Sequence, residues 1–145
     1  MKIALGADHA GFSLKEILAE TLRQQGYGVE DKGTYGRDSC DYTDYASAVA
    51  EAVASGEVER GVLVCGTGIG MSIAANRVPG VRAALVQSEY QARKCREHND
   101  SNILVLGARV TTTEMAELYL SLWLTTPFAE GRHRVRIEKL DKRKS

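Results

Sequence analysis

The sequence predicts an α/β fold, a parallel sheet covered by helices on both faces. Three observations carry that expectation. Short apolar runs rich in Val, Leu and Ile alternate with stretches of helical period along the whole chain. The run Val62-Leu63-Val64-Cys65 reads as a buried parallel strand. It breaks at once into Gly66-Thr67-Gly68-Ile69-Gly70 before Ser72-Ile73-Ala74-Ala75-Asn76 resumes a helical pattern. A strand that passes through glycines into a helix is where open α/β sheets gather their chemistry.

The elements follow in order. Lys2–Ala7 is the first strand. Leu14, Ile17, Leu18 and Leu22 mark a helix that stops at Gln25-Gly26. Val29 lies in a short second strand. Tyr45, Ala46, Val49 and Val53 form a second helical stripe, ended by Gly56. Gly61–Cys65 is the third strand, and the helix around Met71–Asn76 ends at Pro79-Gly80. Val81–Val86 is the fourth strand, and Ser88 caps a helix running to about Glu97. Asn102–Leu106 is the fifth strand. Thr113 or Thr111 caps the helix carrying Met115, Leu118, Tyr119, Leu122 and Trp123, which Pro127 ends. Right-handed crossovers place Asp8-His9, Cys65-Gly66 and Gly107 on one sheet edge.

The chain has 145 residues, enough for one domain over 1–145 with a real core. Lys+Arg and Asp+Glu are both 19, which removes a global electrostatic drive toward nucleic acid or an anionic membrane. No apolar run spans a bilayer, and Met1-Lys2 leads straight into a strand, against a signal peptide. Cys40, Cys65 and Cys95 are odd in number and lack metal-type spacing. The expected setting is reduced and cytoplasmic. Repeats, linkers and low-complexity segments are not evident, and Lys142–Ser145 reads as a frayed tail.

Cys65 is the first candidate for chemistry. A helix N-terminus and nearby backbone N–H groups favour a thiolate and an oxyanion formed beside it. The competing reading is a small buried hydrophobe. Asp8 and His9 suit a polar ligand, or Asp8 caps the next helix and His9 is a loop residue. His98 and Asn99 end the fourth helix, where capping alone would explain them. Arg132-His133-Arg134-Val135-Arg136 is either a phosphate grip or a solvated tail; if helical, Arg132 and Arg136 share a face. Tyr42 and Arg109 are ambiguous polar positions, and Cys40 and Cys95 read as inert. The glycine turn is not a dinucleotide fingerprint, because its third glycine comes one residue early. It lacks the Lys-Ser/Thr of a phosphate loop, and Met71 stands where a cysteine phosphatase needs arginine.

Taken together, several segments closely resemble the type B ribose-5-phosphate isomerases, a family that includes galactose-6-phosphate isomerase subunits. They are Gly6-Ala7-Asp8-His9-Ala10-Gly11-Phe12, Asp41-Tyr42, Cys65-Gly66-Thr67-Gly68-Ile69-Gly70, Ile73-Ala74-Ala75-Asn76, His98-Asn99-Asp100 and Gly131-Arg132-His133. The resemblance runs from Met1 to about Leu140. It implies a three-layer α/β/α sandwich on a five-stranded, Rossmann-like parallel sheet. It also implies a homodimer or tetramer with active sites shared between subunits. The implied reaction interconverts ribose 5-phosphate and ribulose 5-phosphate through an enediolate, without metal or organic cofactor. Carried over, Cys65 moves the proton between C2 and C1, His98 opens the sugar ring, Thr67 assists, and Asp8 binds hydroxyls. Gly66, Thr67, Gly68, Ile69 and Gly70 would supply the oxyanion hole. Asn99 would hold a hydroxyl, Tyr42 would line the substrate site, and His9, Arg132 and Arg136 would grip phosphate. Arg109 is implied to come from the partner subunit.

The chain departs from the family pattern at Ala7, where many relatives carry cysteine, at Thr43 in place of a common proline, and at Arg134-Val135. Some relatives lack the cysteine and use a glutamate a few residues later; here Met71 follows Gly70, which leaves Cys65 as the base. Two alternatives stay open on sequence alone. One is a six-carbon sugar 6-phosphate isomerase with the same mechanism; the other is a non-catalytic sugar-phosphate-binding subunit.

Overall fold

In the computed structural model, which describes residues 1–142, strand and helix alternate as the sequence pattern requires. The order is β1 (Lys2–Ala7), α1 (Phe12–Gln24), β2 (Gly28–Asp31), α2 (Tyr42–Ala54), β3 (Arg60–Cys65), α3 (Ile69–Ala75), β4 (Ala83–Leu85), α4 (Glu89–Glu97), β5 (Ile103–Gly107), α5 (Thr113–Thr125) and α6 (Arg132–Asp141). The five strands form one sheet in the order β2-β1-β3-β5-β4. Every neighbouring pair is parallel. Of the expected tail, Lys142 is a turn residue after α6, and residues 143–145 lie outside the described residues.

Side chains of a strand alternate between faces, and β3 divides its own accordingly. Val62 and Val64 join one core with Leu14, Leu18 and Leu22 of α1 and Leu120 and Trp123 of α5. Leu63 and Cys65 join the other, with Ala46, Val49 and Val53 of α2 and Met71 of α3. Helices therefore cover both faces, and Cys65 belongs to the α2–α3 side.

Three local expectations change. The N-cap of α5 is Thr112, whose hydroxyl accepts the Met115 N–H at 3.2 Å. Adjacent threonines make this boundary ambiguous in sequence, because each can cap equally well. β4 is shorter than Val81–Val86 because it is an edge strand. The Asn76 side-chain amide donates to the Ala83 carbonyl at 3.0 Å and accepts the Ala83 N–H at 2.8 Å. A side chain thus occupies the ladder positions another strand would use, one means of blunting an edge. The basic cluster folds as α6, with His133 and Ile137 on its buried face and Arg132 and Arg136 outside.

A buried cation frames the segment behind β1. Lys15 is fully buried on α1. Its ammonium donates to the two Asp31 carboxylate oxygens at 2.7 and 2.9 Å and to the Thr34 carbonyl at 2.7 Å. The rings of Phe12 and Tyr35 flank it at 5.3 and 5.5 Å. Asp31 also accepts the Gly33 N–H at 2.9 Å. The Gly33 carbonyl in turn accepts the Ala7 N–H at 2.7 Å, and the Thr34 N–H donates to the Ala7 carbonyl at 2.8 Å. The network ends one residue before Asp8. Lys15→Met should destabilise the protein by about 3 kcal/mol, because it strands a carboxylate and a carbonyl. A urea titration checks this: an unchanged midpoint would show that the ion pair adds no net stability.

Candidate active site

The pairing of β3 with both neighbours assembles one edge of the sheet. Ala7 lies beside Val64, and Cys65 beside Gly107. Beyond the strands the chain exits stay joined. Asp8 N–H donates to the Val64 carbonyl at 3.3 Å, Ala108 N–H to the Cys65 carbonyl at 2.8 Å, and Arg109 N–H to the Gly66 carbonyl at 2.9 Å. Asp8, Cys65 and Arg109 therefore leave three adjacent strands into one crevice.

Asp8 is largely buried, and its Oδ1 accepts the Gly11 N–H at 3.0 Å. The carboxylate thus shapes the turn into α1, while Gly11 itself holds the cap position. His9 Nδ1 accepts the Cys40 N–H at 3.3 Å. That bond assigns the proton of a neutral ring to Nε2, which faces away from Cys40 as a donor. Cys40, expected to be inert, holds this histidine in place with its backbone; its sulfur lies 4.0 Å from the same nitrogen.

Cys65 is 5 % exposed, and its Sγ accepts the Gly68 N–H at 3.2 Å. A backbone donor aimed at sulfur stabilises negative charge there. The turn that aims it needs glycine. Gly68 has φ +82°, and a Cβ would stand 2.5 Å from Leu85 Cδ1 and 3.2 Å from the Leu106 carbonyl carbon. Thr67 Oγ1 accepts the Ile69 N–H at 3.2 Å. Tyr42 packs its ring against Gly70, where a Cβ would come within 2.6 Å of it. The Arg109 guanidinium lies by Gly66, where a Cβ would be 3.2 Å from Nη1.

A second group gathers elsewhere. α4 returns from the Cys65 edge to the opposite one, and His98 is its C-cap. β5 then starts with Ile103 level with Gly61, four residues before Cys65 on β3. At about 3.3 Å per residue this separates the edges by roughly 13 Å. His98 and Asn99 are therefore remote from Cys65 of their own chain. α6 lies with them: Ala129 N–H donates to the Glu97 carbonyl at 3.0 Å, and the His133 ring stacks on His98 at 4.4 Å and 15°. Arg82 donates to both Asp141 carboxylate oxygens, at 3.0 and 3.1 Å, and to the Asp100 carbonyl at 3.1 Å, which fixes the far end of α6. Arg132 and Arg136 are exposed on this helix.

The predicted site residues thus divide into two sets. Asp8, His9, Tyr42, Cys65, Gly66, Thr67, Gly68, Ile69, Gly70 and Arg109 share one edge; His98, Asn99, Arg132 and Arg136 share the other. The resemblance implies Arg109 from the partner subunit; within its own chain its guanidinium lies by Gly66, while the groups of α4 and α6 are remote from that edge. Sequence reasoning named His133 within the basic cluster and the Gly131-Arg132-His133 motif but gave it no role of its own, and it did not single out Lys15. The available signal for His133 was its i, i+4 spacing from apolar Ile137, on the face opposite Arg132 and Arg136. Burial pushes the Cys95 thiol up, in keeping with an inert cysteine. Among the described residues no helix is long and apolar enough to cross a membrane, and no three His, Cys, Asp or Glu side chains gather to hold a metal.

A thiol at a sheet switch point, held by a backbone donor and bordered by an acid–imidazole pair, defines a site for proton transfer beside a developing oxyanion. The ribose/galactose isomerase family model matches residues 3–140, and the chain belongs to that family. It is 47 % identical to ribose-5-phosphate isomerase B of Escherichia coli K12 over 139 residues, 96 % of this chain and 93 % of the relative. The structure of ribose-5-phosphate isomerase B from Clostridium thermocellum superposes with a TM-score of 0.97 at 51 % identity, over 98 % of this chain and 96 % of that one. The enzyme from Mycoplasma genitalium with bound ribulose-5-phosphate gives 0.95 at 38 % identity, over 97 % and 94 % of the two chains.

Burial lowers the His133 value below the ordinary 6.5, helped by the neighbouring His98, Arg132 and Arg136. Between the depressed folded value and the unfolded one, the unfolded chain binds more protons, so stability rises with pH there. The contribution is complete above about 6.5 and is lost as pH falls through the folded value. His133→Phe should therefore flatten the drop in urea midpoint between about pH 7.5 and about pH 5. An identical drop in the variant would assign the acid sensitivity to other groups.

Proposed function

We propose that this protein interconverts D-ribose 5-phosphate and D-ribulose 5-phosphate, at sites completed by a second copy of the chain. The observation that carries the reading is the Cys65 sulfur, held by the Gly68 N–H beside Asp8-His9 in a chain of this isomerase family. The α-proton of a sugar carbonyl is weakly acidic, so the base works only against a stabilised enediolate. Gly68 N–H serves the base, and the remaining N–H groups of the Gly66–Gly70 turn serve the enediolate oxygen. Cys65 takes the C2 proton of the open-chain aldose and returns it to C1, while the O2 hydroxyl proton passes to O1 in the enediolate.

Ring opening comes first. The anomeric hydroxyl loses a proton, the bond from C1 to the ring oxygen breaks, and the ring oxygen gains a proton. His98 of the second copy carries this exchange, with Thr67 assisting. Asp8 and the second copy's Asn99 hold hydroxyls, and Tyr42 closes the site over Gly70. His9 Nε2, Arg109 and the second copy's Arg132 and Arg136 bind the phosphate, whose remote binding energy fixes the reactive pose.

The second copy is supported by surface as well as by distance. Ile69 and Ile73, one helical turn apart on α3, are 52 and 55 % exposed, and Tyr42 is 40 % exposed next to them. A two-fold pair would bury this patch at each of two equivalent sites. Three unpaired cysteines favour a cytoplasmic setting.

Paired kinetics with ribose 5-phosphate and allose 6-phosphate test the reaction. We expect a strong pentose preference, and a loss of at least about 100-fold in kcat for Cys65→Ala. A six-carbon preference would keep the mechanism and change the substrate; no turnover at all would leave a binding subunit. Mixing inactive Cys65→Ala and His98→Ala chains tests the sharing. Random two-fold pairing should restore about a quarter of wild-type activity, because half the dimers then carry one intact site of two. No recovery after subunit exchange would place both residues in one chain's site.

A further inference from the structure

We infer that His133 is a positioning residue for ring opening: by stacking on His98 it fixes the plane in which that imidazole meets the sugar. The inference rests on the ring-opening role proposed for His98.

His98 is the C-cap of α4, with φ −97° and ψ −37°, and the chain turns sharply at Asp100, φ +46°. A side chain at a helix end lacks the next helical turn to brace it. The nearly parallel contact with His133, 4.4 Å between ring centres, supplies a brace from another element. His133 is 9 % exposed while its neighbours Arg132 and Arg134 point outward. Its place on α6 is therefore the packed one, facing α4, whereas the arginines of α6 face solvent. A residue that only filled the α4–α6 contact could be any apolar side chain, as Ile137 is one turn later.

An imidazole in this place has a chemical consequence. The charged groups acting on the pair are Glu97 from α4 and Arg132 and Arg136 from α6, and Arg93 and Lys94 of α4 act on Glu97. Lys94 is already bonded to Glu97 at 2.7 Å. Burial and the surrounding cations shift His133 toward its neutral form. A neutral ring accepts a cation on its face, whereas two stacked imidazolium ions repel. His98 can then take and release the proton of ring opening without its neighbour competing for it. The ring plane stays fixed throughout, which is the condition for efficient transfer.

Solvent exchange separates ring opening from enolisation. Ribose 5-phosphate is supplied mainly as a furanose and must be opened. Ribulose 5-phosphate is acyclic, because its C5 hydroxyl is esterified, so deuterium entering its C1 from D2O reports the enediolate step without the ring. The overall equilibrium ties the two directions together, so His133→Ala should lower net conversion between about ten- and a hundred-fold whichever sugar phosphate is supplied. Both KM values should hold, since the phosphate arginines remain, and deuterium entry at C1 should fall no more than about two-fold. His133→Phe, which keeps a stacked ring and folds without a cavity, should recover most of the net rate at neutral pH. Equal losses of exchange and of net conversion for His133→Ala, or a loss confined to KM, would overturn the inference, as would a His133→Phe variant no better than His133→Ala. His98→Ala is the control for the underlying reading. The same split between exchange and conversion there upholds ring opening by His98, and equal losses there would overturn that reading whatever His133 does.

Discussion

A parallel sheet built from strand–helix units has two edges that its own connectivity keeps apart. Residues that end strands reach one edge, and residues that end helices reach the other. Cys65 ends β3 and His98 ends α4, so the fold itself forbids their meeting within one chain. The consequences spread through the molecule. α6 docks beside His98 and carries Arg132 and Arg136 to the same remote edge. The exposed isoleucines of α3 lie on the Cys65 side of the sheet, where a second copy would approach. In the proposed assembly each copy would offer half of a site at either edge, and a two-fold arrangement would match the halves.

Within the Cys65 half, precision comes from short backbone links rather than from long side chains. The sulfur is buried, so negative charge on it would be costly without a donor; the Gly68 N–H supplies one. The same turn presses Gly68 against Leu85 and Leu106, which ties the donor's position to the packing of β4 and β5. On the other side, the Lys15–Asp31 pair reaches through Gly33 and Thr34 to Ala7, and so sets where β1 releases Asp8. Both devices sit beneath the site and touch it through the main chain.

The order of elements and the chemistry of the glycine turn were legible because both are local. Strand runs, caps and the Cys65-Gly66-Thr67-Gly68 passage depend on residues a few positions apart. Even the sheet edge shared by Asp8, Cys65 and Gly107 follows from crossover handedness. What stayed hidden depends on partners far along the chain. β4 is a short edge strand whose outward ladder positions at Ala83 are taken by the Asn76 amide, and the N-cap of α5 was undecidable among adjacent threonines. The Cys40 backbone holds His9 across 31 positions, which no spacing rule anticipates. α6 lacks a strong apolar stripe, since its buried face is His133 and Ile137, so helix and solvated tail looked alike until it was docked.

That docking keeps Arg132, Arg136 and His98 on one edge. α6 is pinned at its start by the His98–His133 stack and at its end by the Arg82–Asp141 pair. Arg82 also bonds the Asp100 carbonyl, two residues beyond His98. Any shift of α6 under the pull of a bound phosphate is therefore felt at the α4 terminus that carries His98. In the proposed reaction, binding energy gathered at the end of the substrate that does not react would be delivered, through one short helix, to the group that must meet the sugar ring. Such delivery raises turnover rather than affinity alone when the contact it aligns matters most in the transition state.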